Sequence, residues 1–242
     1  MGRNVDVEFD MLIQAKREEV KPALNHVSSS QMNICVAVRK RPLFEKETLS
    51  GEIDVVTVSN PKIVIHNPQF KVDGITKFVQ NNDFNFDNAY SEAEDTKPLY
   101  EYQIKGLLPS LFEKGVVTLF AYGQTGSGKT FTVSAVTQEA VRDMFKLAPA
   151  GSQFHMSFFE LYGGKVVDLL NNKKQLQIQE DGNNKIQVVG LTERLASSEQ
   201  EMNQIIDYGH SSRTTRATEA NDTSSRSHAV AQIRVRNSAG KT

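Results

Sequence analysis

The chain has 242 residues, 38% of them apolar, which suits one large α/β domain or two small ones with a substantial buried core. Lysine plus arginine number 28 against 29 acidic residues, so the net charge of −1 offers no global pull toward nucleic acid or an anionic membrane. The single cysteine excludes an internal disulfide framework, the five scattered histidines lack zinc-ligand spacing, and no apolar run approaches the roughly 20 residues of a membrane span. With a polar, charged N-terminus, these features predict an intracellular chain that binds neither nucleic acid nor membrane.

Residues Phe9 to Val20 are helix-friendly and His26 to Gln31 read as a linker, so residues 1–31 form an arm ahead of a main domain at 32–242. Asn33 to Val38 is predicted to be a buried strand that hides Cys35, and Pro42 ends it. Asp54 to Val58 and Lys62 to His66 read as a hairpin, and Asn67 to Asn82 as a polar, turn-rich projection. Phe84 and Phe86 alternate as a half-buried strand. Ser91 with Glu94 forms a capping box for a helix through Tyr100, Ile104, Leu107, Leu108 and Leu111, kinked near its end by Pro109.

Val116 to Ala121 reads as a buried strand that feeds a glycine-rich loop, followed by a helix over Phe131 to Phe145. Gln153 to Tyr162 and Gln187 to Leu191 are further strands, Ser198 with Glu201 caps a helix containing Met202, Ile205 and Ile206, and Ala229 to Val235 alternates as a last strand. Strands interleaved with helices predict an α/β fold, a central mixed sheet with helices on both faces.

Gly123-Gln124-Thr125-Gly126-Ser127-Gly128-Lys129-Thr130 fits G-x-x-x-x-G-K-[ST], the phosphate loop of nucleoside triphosphatases. Its glycines let several backbone N–H groups turn into one concavity at the positive end of the following helix. Lys129 is placed to reach the β and γ phosphates and the Thr130 hydroxyl to ligate Mg²⁺. The chemistry also needs a sensor of the γ-phosphate. Asn221 to His228, dense in hydroxyls with one guanidinium, is either that sensor or a solvated serine-rich loop. Asp168, at the end of an apolar run, is either structural or an Mg²⁺-side carboxylate.

FAYGQTGSGKT at Phe120 to Thr130, together with NDTSSRSH at Asn221 to His228, resembles the kinesin motor domain. The resemblance runs from about Asn33 to Thr242. It implies a P-loop NTPase fold, ATP with Mg²⁺, tubulin as the partner, and the cytoplasmic microtubule cytoskeleton, the spindle included, as the location. The segment Val38 to Pro42, with Arg39, Arg41 and Pro42, would flank the adenine, and Tyr100 would pack on it. Ser224 and Ser225 would serve Mg²⁺ and the γ-phosphate, with Asn221 as a further sensor and Arg226 paired to a later acidic switch. That later Asp-x-x-Gly switch and the main tubulin-binding helix are not among the 242 residues, so the fold is expected to be truncated before them. The stretch Val133 to Gln138 is also shorter than kinesins usually show.

Within the family, Arg39-Lys40-Arg41-Pro42-Leu43, Phe158-Phe159-Glu160, Glu180-Asp181-Gly182 and Gln187 to Leu191 are similar to the internal-motor, microtubule-depolymerising class, kinesin thirteen. Lys71-Val72-Asp73 resembles the tubulin-contacting tip of that class's long second loop, and the arm resembles its neck. The resemblance thus implies an ATP-dependent depolymerase. A fragment that binds nucleotide and tubulin without turnover, and a kinesin that walks along the lattice, are the alternatives. Arg213, Arg216, Arg234 and Arg236 could form a basic face for acidic tubulin, or a solvated one. Oligomeric state is left open.

Overall fold

A computed structural model describes residues 5–214 and 227–236. The chain divides into two compact units, Met1–Leu107 and Leu108–Thr242.

The first unit opens with α1 (Val7–Glu18). Asp6 caps it by accepting from the Phe9 amide at 3.2 Å, with acidic residues in the first turn and Lys16 and Arg17 in the last, which suits the helix dipole. There follow β1 (Ala37–Arg39), α2 (Glu45–Leu49), β2 (Val56–Ser59), β3 (Lys62–Phe70), β4 (Lys77–Asn85), β5 (Asn88–Tyr90) and α3 (Thr96–Gln103). β1 and β5 pair in parallel, and β2-β3-β4 form an antiparallel meander. The arm is tied down rather than loose. Phe9 and Ile13 are buried, the Leu24 amide donates to Asn60 O at 2.9 Å, and the Asn88 side chain exchanges two hydrogen bonds with the Val27 backbone.

Four expectations in this unit need correction. The stretch Asn67 to Asn82 is mostly strand, because β3 continues to Phe70 and β4 starts at Lys77. Its polarity misled because the outer ribbon buries little on either face, so no apolar alternation is required there. The strand near Cys35 is short, and Ile34 and Val36 are exposed. Cys35 is half-buried, its thiol pushed up by burial and donating to Gln103 Oε1 at 2.8 Å. Phe84 is exposed. Finally, Glu94 accepts from the Ser91 amide at 2.6 Å, but the helix begins a few residues later, at Thr96, and gives way at Lys105–Glu113 to a 3₁₀ segment containing Pro109.

The second unit holds α4 (Lys129–Leu147), β6 (Gln153–Tyr162), β7 (Lys165–Asp168), β8 (Lys174–Glu180), β9 (Ile186–Val189), β10 (Arg194–Ala196), α5 (Glu199–Thr214) and β11 (Ser227–Arg236). All six strands join one sheet, centred on β6, and every pairing within it is antiparallel. One face of β6 presents Phe154, Met156 and Phe158 to the helices. Phe145 of α4 lies 4.4 Å from Phe154, and a Cβ on Gly209 of α5 would sit 2.0 Å from the Phe158 ring, so only glycine lets α5 approach this closely. The opposite face carries a smaller cluster of Phe159, Val166 and Leu176, edged by Leu161, Val188, Leu191 and Val230. Among the described residues, then, parallel pairing is confined to β1–β5.

The expected strand Val116 to Ala121 is not formed. Val116 and Phe120 are 90% and 87% exposed, and no described strand pairs with the segment. A strand of this apolar character gains its stability from neighbours that bury both faces, so without them the run stays unpaired and exposed.

Candidate functional site

The loop from Gly123 to Thr130 takes the backbone form that its glycines permit. Gly123, Gly126 and Gly128 have φ of 152°, 82° and 91°. A Cβ at Gly123 would stand 2.5 Å from Ser127 Oγ, and Gly128 is the left-handed residue from which α4 starts. The first α4 bond runs from the Thr132 amide to Gly128 O at 3.0 Å. The amides of Lys129 and Thr130 therefore lie in the first turn, where a helix supplies no acceptor and its dipole is positive. Lys129 curls back, and its ammonium donates to Gly123 O and Gln124 O, both at 2.8 Å. One cation, several amides and the exposed hydroxyl of Thr130 thus converge on one loop, a donor set with affinity for phosphate oxygens and a divalent ion. Gln124 and Thr125 are exposed and Ser127 is half-buried.

Asn221, Ser224, Ser225 and Arg226 lie outside the described residues. The neighbouring Ser227 is buried and its Oγ accepts from Arg213 at 3.3 Å. Arg213 also pairs with the buried Glu160 at 3.3 Å. This Glu160–Arg213–Ser227 cluster ties β6, α5 and β11 together, and the residue spacing gave no sign of it. Arg234 and Arg236 both pair with Glu193, at 2.6 and 2.7 Å, so they do not form the free basic face considered above; Arg216 lies outside the described residues. Asp168 is wholly buried, its oxygens accepting from the amides of Leu170 and Thr192 at 2.9 and 2.8 Å, which is the structural alternative.

In the first unit, Arg39 donates to Thr96 Oγ1 at 2.8 Å and to Glu94 O at 3.1 Å; burial lowers its pKa, opposed by Asp95 and Glu94. Arg41 was expected beside the adenine, but its fork is taken by Glu47, at 2.8 and 2.7 Å, while its guanidinium stacks 4.2 Å over Phe44. That bond, with the Phe44 amide, holds the Glu47 carboxyl down at about 2. A glutamate six residues from an arginine carries no sequence signal for such a pair. Pro42 is exposed. Tyr100 is fully enclosed at 0% exposure, so its ring offers no open face on which a base could stack.

Lys71, Val72 and Asp73 occupy the turn between β3 and β4. The Lys71 amide donates to Thr76 O at 2.8 Å, and Asp73 Oδ1 accepts from the amides of Ile75 and Thr76 at 2.9 and 2.8 Å. These bonds, with the Thr76 hydroxyl first, hold the Asp73 carboxyl below its ordinary range. Val72 and Ile75 are left 108% and 82% exposed. The tip is thus an ordered turn that shows two branched apolar side chains to solvent. Among the described residues no acidic, histidine or cysteine cluster could hold a metal, and no helix is long and apolar enough to cross a membrane.

Over residues 39–242 the chain matches the family model for the kinesin motor domain. It is also similar to diatom spindle kinesin-1 of Cylindrotheca fusiformis, with 39% identity over 249 aligned positions, covering 99% of this chain and 40% of that protein. The chain therefore spans well under half the length of this curated relative.

Proposed function

The chain belongs to the kinesin motor domain family, with the mixed α/β, P-loop-type fold of that family, and from that premise we propose that it is the ATP-hydrolysing unit of a microtubule depolymerase. The Gly123 to Thr130 loop would hold the triphosphate. Lys129 would exchange the two carbonyls it now contacts for phosphate oxygens, and Thr130 with Ser224 would hold Mg²⁺, which neutralises charge developing at the γ-phosphate. Asn221 and Ser225 would report the γ-phosphate, and Arg226 would anchor a later acidic switch. The positive φ of Gly123, Gly126 and Gly128, with α4 starting at Gly128, supports this reading, because such a backbone turns consecutive amides toward one anion.

The depolymerase assignment rests on one observation. The β3–β4 hairpin ends in Lys71-Val72-Asp73, a hydrogen-bonded turn with a fully exposed Val72, shaped to enter a crevice between tubulin subunits. The word spindle in the relative's name supports a place on spindle microtubules. In the full-length protein, alanine at Lys71, Val72 and Asp73 together should abolish end-shortening of stabilised microtubules and leave nucleotide binding intact. Undiminished shortening would reject the kinesin-thirteen class assignment drawn from this tip, and directional runs in single-molecule tracking without shortening would favour a walking motor instead.

A further inference from the structure

β3 and β4 pair along their whole length, but β2 covers only Lys62 to Ile65, and the Val55 carbonyl adds one bond to the His66 amide. From Asn67 outward the hairpin is a two-stranded ribbon, which is marginal in water unless another element packs on it. α1 supplies that element. Phe9, 8% exposed, meets Phe70 edge to face with ring centroids 5.4 Å apart. Lys77, the ladder partner of Phe70, donates to both carboxylate oxygens of Asp6 at 2.8 Å, pairs with Glu8 at 3.1 Å, and lies 4.9 Å over the Phe9 ring. The first turn of α1 therefore grips the last rung before the tip.

Two turns further along, the helix is anchored at the root of the same hairpin. Arg17 pairs with Asp54 at 3.0 Å and donates from Nε to Thr57 Oγ1 at 3.1 Å. The Thr57 hydroxyl in turn bonds Nε2 of the buried His66 at 2.8 Å, and His66 Nδ1 donates to Asn81 Oδ1 at 2.8 Å. Asn81 Oδ1 can only accept, so Nδ1 is the donor there, and a continuous chain of bonds links Arg17 through Thr57 and His66 to β4. Eight helical residues span about 12 Å. The five ladder positions from Phe70 back to Ile65, which faces Val56, span about 16 Å, so with the reach of the arginine side chain α1 runs beside the ribbon from tip to root.

We propose that α1 is a brace that fixes the aim of the Lys71-Val72-Asp73 tip toward its protein partner, with Lys77 and Phe9 as its positioning residues. The partner's identity rests on the depolymerase reading, whereas the brace itself does not. In the full-length protein, Lys77→Glu sets a third carboxylate against Asp6 and Glu8, Phe9→Ala removes the aromatic contact, and Lys77→Arg keeps the charge. Amide hydrogen exchange at Ile75 and Thr76 should quicken about tenfold in the first two variants and stay unchanged in Lys77→Arg, with exchange in β11 unaltered. Microtubule shortening should fall at least about fivefold in the first two while basal ATP turnover holds, a split that general unfolding would not produce. Unaltered exchange in Lys77→Glu overturns the brace whatever shortening does, as does quickened exchange with undiminished shortening where the tip alanine variant has lost it. Quickened exchange together with shortening that survives even in that alanine variant sustains the brace and removes the tip's part in shortening, whereas no shortening by the unaltered protein removes the depolymerase reading.

Discussion

Asp168 is the residue whose two readings differ most sharply in what they predict on substitution. Its carboxylate has no solvent exposure and each oxygen accepts one backbone N–H, from Leu170 at 2.9 Å and Thr192 at 2.8 Å, which ties the end of β7 to the turn after β9. Asp168→Asn keeps the shape but replaces one acceptor with an NH₂ group that faces an N–H donor. The loss combines one charge-assisted bond and one buried, unsatisfied amide, together about 3 kcal/mol. For a chain of this size that corresponds to a fall of about 6–12 °C in Tm. Thermal melting by circular dichroism, with a urea series to show that the slope is unchanged, reads the stability. Titration with a fluorescent ATP analogue, with and without Mg²⁺, reads the site. A Tm within about 1 °C of the original, joined to a loss of Mg²⁺-dependent affinity, would refute the structural role and return Asp168 to the metal.

Gly123→Ala forces a Cβ to 2.5 Å from Ser127 Oγ at a φ of 152°, so ATP affinity by calorimetry should fall about tenfold or more, and undiminished affinity would count against the loop geometry. Burial, opposed only in part by the Gln103 amide that donates to its Oη at 3.0 Å, pushes the Tyr90 phenol up to about 12. Because the folded value lies above the unfolded one, the corresponding stability is whole below pH 10 and is lost as pH rises from about 10 to 12. Urea midpoints at pH 9, 10 and 11 should decline for the wild type and decline less for Tyr90→Phe.

What was legible in the sequence was whatever one local pattern decides. β6 covers the largely apolar run Gln153–Tyr162, β11 includes the alternating run Ala229 to Val235, and α5 is announced by Ser198 and Glu201, with the Glu201 amide donating to Ser198 Oγ at 3.1 Å. The glycine loop was read correctly as the start of a helix because it is itself a local pattern. The ribbon was misread because strands that bury so little of either face need no apolar alternation. Val116 to Ala121 was misread for the opposite reason, since its apolar run signals a buried strand only when neighbours are present. Arg41 and Lys77 show a third kind of failure. Their partners Glu47 and Asp6 lie six and 71 residues away, and nothing in composition or periodicity reports which carboxylate a cation will meet.

The length of the β3–β4 ribbon beyond the reach of β2 makes it a lever. The tip stands about 16 Å beyond the last position backed by β2, so a tilt of only about 5° at that pivot carries Val72 sideways by more than about 1 Å. An offset of that size is enough to spoil a docked side chain. On the brace proposed above, aim is held at both ends of α1, by Arg17, Thr57 and His66 at the pivot and by Phe9 and Lys77 beside the tip. If the tip docks as proposed, a substitution there should disable it as thoroughly as one made in Lys71, Val72 or Asp73 themselves.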